Sequence, residues 1–426
     1  MSKASAPGSR RRFLRAGGSA LAGAALAPAI AAAQNKTETP LAGQAQPLEV
    51  APWSKTPGEP VLWQAYGQPS SFEKNVVRRS RAAAPFAGAN SSMTPLQDLH
   101  GIITPTGLVF ERHHSGIPLI DPERHRLAVH GLVARPTLFS MDDLVRLPSV
   151  SRIHFLECSG NTGREWKGPG TASLQFSHGL LSCCEWTGVP LSVVLDEVGI
   201  DPQGAWILAE GADAAGMTRS IPVSKALDDA LLVYAQNGER LRPEHGYPLR
   251  LFLPGFEGNM SVKWLRRLKV GREPFMSREE TSKYTDSLPD GTARQFTFLM
   301  ETKSVITFPA PDHRLRQPGF YEISGLAWTG RGRIKRVDVS TDGGRNWSAA
   351  ALQEPVLDRA LTRFRLPWRW DGAPAVLQSR AVDEGGYVQP TGRQLVAARG
   401  LESGYHFNAI QSWKVAADGV ITNVQV

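Results

Sequence analysis

Short runs of alternating apolar and polar residues recur along this chain and predict strands, with helical spacing confined to brief interruptions. In Arg152-Ile-His-Phe-Leu-Glu-Cys158, Ile153 and Phe155 fall on one face and Leu156 and Cys158 on the other. Ser159-Gly160-Asn161 then favours a tight turn, so Cys158 is expected at the end of a strand. Further strands are expected at 205–209, 231–235 and 249–253, each dense in β-branched or aromatic residues. Ser140-Met-Asp-Asp143 opens a short helix in the manner of a capping box, and Pro148 closes it. Pro190 to Val198 predicts a second helix with Gly199 as its left-handed stop. The elements do not alternate as βαβ units and no dinucleotide fingerprint follows a strand, so residues 96–300 predict an α+β domain.

From residue 301 the texture changes. Short alternating runs at 320–327, 333–340, 347–352, 361–366 and 375–382 are separated by Gly, Pro and Asp-Gly turns, which predicts an immunoglobulin-like β-sandwich over 301–426. Val337-Asp-Val339, Asp342-Gly343-Gly344 and Trp347 spell a hairpin. The spacing Ser340-x-Asp342-x-Gly344-x-x-Trp347 resembles a sialidase Asp-box, but a single copy is a hairpin and not a propeller. Residues 34–95 are rich in Pro, Ala, Gln and Ser and carry Trp53, Trp63, Tyr66 and Phe72. They predict an extended arm that docks on the body or on a partner.

The start of the chain changes the reading of its charge. Ser9-Arg-Arg-Arg-Phe-Leu-Arg15 has the twin-arginine pattern, the run from Ala16 to Ile30 is apolar, and Ala31-Ala32-Ala33 offers a cleavage site. Residues 1–33 are therefore expected to be a signal peptide for export of the folded protein to the periplasm, and folding before export points toward a cofactor inserted beforehand. Lys3 and four arginines of this segment supply five of the eight net positive charges, leaving +3 on the mature chain. That is no basis for a nucleic-acid partner, and no basic run is interleaved with aromatics. The three cysteines do not make a disulfide scaffold, because Cys183 and Cys184 are adjacent and expected to be buried and structural. No Cys-x-x-Cys-His, His-Glu-x-x-His or phosphate-loop motif occurs. Cys158 is then a small buried hydrophobe, a nucleophile or a metal ligand.

Glu157-Cys-Ser-Gly-Asn161, Pro243-Glu-His-Gly-Tyr-Pro-Leu-Arg250 through Gly255, and Ser261-Val-Lys-Trp-Leu265 stand in the order found in the sulfite oxidase family, and the resemblance covers residues 96–426. It implies a molybdenum–molybdopterin cofactor with Cys158 as the metal's protein ligand. His114, His245, Arg250, Ser261 and Lys263 match cofactor-binding positions. Arg112 and Arg399 match groups at the substrate, Tyr284 falls in the segment where the family keeps a tyrosine hydrogen-bonded near the metal, and Arg164 matches a second arginine shifted by one position. A further departure is Phe176, where the oxidases place a tryptophan. Thr94 to Thr104, Phe110 to His114 and Leu174 to Cys184 resemble the sulfane (sulfite) dehydrogenase branch of the family, which serves thiosulfate oxidation. That branch implies oxygen-atom transfer to sulfite or to sulfane sulfur on a carrier protein, with electrons passed to a SoxD-like c-type cytochrome subunit. It also implies dimerisation through the C-terminal sandwich and a heterotetramer. The alternatives are an oxo-reductase of the same fold, a cysteine-nucleophile enzyme using Cys158 with His154 or His245, and a binding module resting on the sandwich.

Overall fold

The computed structural model describes residues 57, 66–80, 88–402 and 404–425. The expected signal peptide and much of the expected arm lie outside the described residues. From Pro69 on, the described arm belongs to the body: the strand Arg79–Ser80 pairs antiparallel with Ser91–Met93, and Ser91–Met93 pairs with Glu111–Arg112.

The first sheet carries the candidate site. Val150–Glu157 pairs antiparallel with Leu181–Pro190, which pairs with Leu231–Gln236, and this last strand also takes Arg250–Phe252 on part of its length. The expected strand at 152–158 thus starts two residues earlier and stops one short, leaving Cys158 just beyond the last paired residue. Alternation explains why it forms: Phe155 packs with Leu174, Leu181 and Cys183 on one side, and Leu156 joins Cys184, Trp186 and Phe252 on the other. A second sheet runs Thr137–Phe139, Leu127–Gly131, Leu265–Gly271, Trp206–Gly211, Thr218–Pro222, with a parallel pairing between Leu127–Gly131 and Leu265–Gly271. Leu191–Val198 buries Leu191, Val194, Leu195 and Val198 against this sheet's apolar cluster and stops at Gly199, whose φ is +67°.

The helix Met141–Val145 has the expected cap. The Ser140 hydroxyl accepts from Asp143 N at 3.1 Å, and Ser140 N donates to the Asp143 carboxylate at 2.9 Å. Ser140→Ala is expected to cost about 1 kcal/mol, read as a lower urea midpoint with an unchanged slope.

The C-terminal region is a β-sandwich. One sheet runs Lys303–Phe308, Gly319–Trp328, Thr362–Trp370, Ala351–Leu352, and the other Ser348–Ala349, Ile334–Ser340, Ala375–Asp383, Ser412–Val415, Ile421–Val424. Ile323, Leu326 and Trp328 of the first meet Val337, Leu377 and Trp413 of the second in one core. The expected strand at 347–352 divides, because Ala350 N turns to Val337 O at 2.9 Å and the chain crosses between sheets there. The Asp-box spacing closes a local turn: Gly344 N donates to the Ser340 hydroxyl and Asn346 N to the Asp342 carboxylate, both at 2.9 Å. A helix that the sequence reading lacked, Gly392–Arg399, starts at a Thr391–Gln394 capping box. Among the described residues no helix is long and apolar enough to cross a membrane.

Candidate active site

The loop after Val150–Glu157 is closed by its own side chains. Asn161 N donates to Cys158 O at 2.8 Å, and the buried Asn161 amide donates to Glu157 Oε1 at 2.9 Å and accepts from Leu180 N at 3.2 Å. Thr162 follows in the left-handed region with φ +61°. The facing turn Gly258–Met260 comes close because residue 258 has no side chain: a Cβ there would sit 2.8 Å from Glu157 O and 3.4 Å from Cys158 Cα.

Cys158 opens onto a cavity whose wall brings together Arg112, His114, His245, Arg250, Ser261, Lys263 and Tyr284. Arg164 and Arg399 are not on that wall. Arg164 is exposed on the turn Gly163–Lys167, and Arg399 is buried at the end of its helix with Nη1 3.4 Å from Asp286 Oδ2. Phe176 packs, like Cys158, against the apolar cluster of Leu156, Leu180 and Trp186. His154 lies off the wall, stacked on Phe252 at 6.1 Å, with Nδ1 3.2 Å from Asp358 O. Cys183 and Cys184 are buried free thiols whose burial pushes them well above the usual thiol range.

The wall is cationic and incompletely bonded. Arg250 is buried in its strand, donating from Nη1 to His245 O and from Nη2 to Ser261 O, both at 3.0 Å, while Nε has no hydrogen-bond partner. Burial and the Arg250 charge hold His245 down at about 3, so its ring is neutral; Nε2 lies 3.4 Å from Val109 O and Nδ1 is unpartnered. Lys263 Nζ contacts Arg112 O at 3.3 Å, His113 Nδ1 at 2.8 Å and Glu244 O at 3.0 Å. Burial first, then Arg250, pushes this ammonium below its ordinary range. These are features of a pocket shaped for a polar anion: Arg250 Nε is a buried donor left open, which costs stability until something accepts from it, and His245 Nδ1, with the ring proton on Nε2 toward Val109 O, is an open acceptor.

Tyr284 faces the same space from a strained backbone with φ +51°. Its hydroxyl is 2.9 Å from His114 Nε2, its ring lies beside Tyr405 at 5.4 Å, and the Arg219 guanidinium stands 5.1 Å from the ring centre. Burial pushes the phenol up, which keeps its proton in place, and burial with the Arg112 charge holds His114 at about 4. Burial also pushes the Cys158 thiol up, against the Gly160 backbone hydrogen bond and the pull of Arg112, and so favours the protonated form. Among the described residues no group of three or more His, Cys, Asp or Glu is arranged to hold a metal ion. A metal at Cys158 would therefore arrive with ligands of its own, and a soft thiolate beside open cationic donors fits a metal carried by an anionic organic group.

Sequence reasoning missed the support behind this wall. Glu257 is buried; burial raises its carboxyl, but Arg219 and His406 outweigh that and hold it at about 2. Glu257 accepts from Asn259 Nδ2 at 2.7 Å, and that same amide donates to the Ser159 hydroxyl at 3.0 Å. Glu157 is fully buried, with Oε1 bonded to Lys303 Nζ at 3.0 Å and Oε2 to Trp328 Nε1 at 2.6 Å. Only the clustering of Glu257, Asn259 and Ser261 in one loop hinted at any of this in the sequence.

Histidines lowered by burial give the cofactor-free protein a pH dependence, and two of them stand on the cavity wall. His114 at about 4 and His245 at about 3 lie below the unfolded value near 6.5, so the unfolded chain binds protons that the folded one does not. Stability is expected to fall as pH drops from about 6.5 toward 4, measured as urea midpoints across that range. His245→Asn should reduce the slope by its share, with His178 and the other lowered histidines keeping the rest.

Residues 114–279 match the family described as oxidoreductase molybdopterin binding domain, and residues 294–412 match the molybdenum-cofactor oxidoreductase dimerisation domain. The crystal structure of the sulfane dehydrogenase SoxCD from Paracoccus pantotrophus is similar at a TM-score of 0.87 and 49% identity, covering 89% of this chain and 98% of that chain. Sulfite oxidase of Gallus gallus is 33% identical, with 68% of each chain covered. The NADH nitrate reductase of Ulva prolifera is 34% identical over 59% of this chain but only 32% of its own length. Mouse mitochondrial sulfite oxidase, 32% identical, is covered over 60% of its length, so the chain spans from a third to two thirds of these curated relatives.

Proposed function

Because the chain belongs to the sulfite oxidase family of molybdopterin oxidoreductases, we propose that it oxidises sulfite or protein-bound sulfane sulfur with a molybdenum–molybdopterin cofactor. The observation that carries the proposal is the cavity in which a strand-end thiol faces Arg112, Arg250 and Lys263 while Arg250 Nε and His245 Nδ1 stand unpartnered. When bound, the cofactor supplies two-electron oxygen-atom transfer to sulfur. Cys158 would hold its metal as a thiolate. Arg250, with its fixed fork, His245 and Ser261 would receive the pterin and its phosphate, with Lys263 as a positive charge fixed by three bonds. Arg112 would draw the sulfur oxyanion to the metal side of the cavity and steady charge as it shifts. The Tyr284 hydroxyl, bonded to neutral His114, would keep one proton beside the reacting centre. Arg399 and Arg164 would act from outside the wall, Arg399 through the Asp286 segment near Tyr284.

The similarity to the sulfane dehydrogenase SoxCD supports sulfane sulfur as substrate and a SoxD-like partner subunit. The resemblance of the sequence to that branch adds a carrier-protein cysteine that presents the sulfur, a c-type cytochrome as electron acceptor and a place in thiosulfate oxidation. The dimerisation region at 294–412 supports pairing of two copies through the sandwich, and with a cytochrome on each the assembly is a heterotetramer. The twin-arginine pattern supports export of the loaded protein to the periplasm. The division near residue 300 into a cofactor-binding and a dimerisation unit belongs to the same proposal.

Expression in a host that makes molybdopterin should give close to one molybdenum and one pterin per chain, and reduction of cytochrome c should depend on sulfite or a persulfidated carrier. A purified protein without molybdenum, or one indifferent to both sulfur species, would refute the reading. Arg112→Gln is expected to raise the KM for sulfite by about 100-fold, the scale of a lost charge-assisted pair of about 3 kcal/mol, with molybdenum content unchanged.

A further inference from the structure

The described part of the N-terminal arm passes behind the cationic wall at Arg78. Arg78, the residue before the strand Arg79–Ser80, is part-buried and reaches two segments at once. Its Nη1 donates to Val109 O at 3.2 Å and to Glu111 Oε1, and its Nη2 lies 3.5 Å from Glu244 Oε1. Among the described residues, those two segments supply the three hydrogen bonds of the Lys263 ammonium. Glu244 offers its carbonyl to Lys263 Nζ, and the 109–113 segment offers Arg112 O and His113 Nδ1.

His113 completes the link. Its Nδ1 takes a hydrogen from the Lys263 ammonium, so the ring proton belongs on Nε2, which makes no hydrogen bond and stands 3.5 Å from Glu111 Oε2. The ring is buried and stacked on Trp264 at 5.7 Å, which leaves it little freedom to turn. Arg78 therefore clamps Val109 O and the Glu111 carboxylate on one side and the Glu244 carboxylate on the other, and these two segments carry the carbonyls and the imidazole that fix the ammonium. Free of this brace, a lysine stem would spread its charge over many rotamers.

We propose that Arg78 is a positioning residue for the cofactor, and that the arm must be seated for Lys263 to hold its charge at the cavity wall. The inference rests on the molybdopterin reading and adds to it a role for the arm: the segment acts as a strap whose seating and cofactor retention are coupled. The neighbouring bond from Gln175 Nε2 to Val77 O at 2.9 Å does not touch the Lys263 surroundings.

The test uses loaded full-length protein and reads the rate at which pterin leaves it during dialysis, by fluorescence of the released, oxidised pterin, at a temperature well below unfolding. Arg78→Met and Glu111→Gln are each expected to speed release about tenfold, the lower end of what partners behind a direct ligand contribute. The double variant should be no more than about twofold faster than the faster single one, since both cut the same link. Arg78→Lys, which keeps the charge without the fork, should recover part of the retention, and Arg79→Ala, on the exposed neighbour, should behave as wild type. Release from Arg78→Met within twofold of wild type, or effects of the two variants that multiply, would overturn the proposal. Should Arg78→Met fail to fold, Glu111→Gln decides, because it preserves size and leaves the arm's strand pairing intact. Wild-type protein that carries no pterin at all overturns the cofactor reading and this inference with it, whereas a loaded wild type with an unaffected Arg78→Met overturns this inference alone.

Discussion

Cys158→Ser is expected to lower sulfite- or carrier-dependent turnover by about 1,000-fold or more, roughly 4 kcal/mol in the barrier, while leaving the fold intact. The two side chains have nearly the same shape, and the backbone of the loop is held by Asn161, Leu180 and Glu157 rather than by the sulfur. What changes is donor chemistry. A thiol whose proton burial retains can still be ionised by a soft metal cation, whereas a serine hydroxyl in the same place stays protonated and offers a hard, weak ligand. Cofactor retention should fall less than turnover, because Arg250, His245 and Lys263 would still hold the pterin. Steady-state turnover, molybdenum per chain and thermal unfolding measured on one preparation separate these effects. Full turnover in Cys158→Ser would remove Cys158 from the metal and return it to the buried hydrophobe that a lone cysteine so often is.

The legible parts of this molecule are those written in local sequence. Period-two alternation around Ile153 and Phe155 has one structural solution once both faces have apolar partners, and the Ser-Gly-Asn turn places Cys158 beyond the strand. The cap at Ser140 and the stop at Gly199 are equally local. The helix Gly392–Arg399 escaped because only Leu395 and Arg399 of its eight residues are buried, so its apolar spacing is nearly silent. The supports of the site escaped for another reason. Glu157 meets Lys303 across 146 positions of sequence, and Arg78 meets Glu244 across 166, and no spacing rule joins residues so distant. Burial of charge shows where to look only after folding: a carboxylate with no exposed surface must have found donors, but the sequence does not say which.

Lys303→Met is expected to destabilise the protein by about 3–5 kcal/mol, the cost of leaving a buried carboxylate without its counter-charge. Glu157 and Lys303 are almost wholly inaccessible to solvent, so water cannot replace the missing ammonium. Asn161 and Trp328 remain as neutral donors to the carboxylate, and the Thr162 hydroxyl loses the Lys303 contact it makes at 2.7 Å. Removing the charge from the other side as well, in Glu157→Gln/Lys303→Met, should recover part of the loss, because an uncharged pair has no desolvation to offset. The same bond ties a sandwich strand to the loop that presents Cys158, and His406 N to Ser159 O at 2.8 Å ties it again from the other side. A loosened loop should therefore show in the metal as well as in stability: molybdenum per chain in Lys303→Met should fall below that of a core variant of equal instability, such as Val305→Ala, which lies on the same strand without touching the loop's bonds. Equal molybdenum content in the two would mean that the pair serves the fold alone, and that the sandwich stabilises the domain without setting the geometry at Cys158.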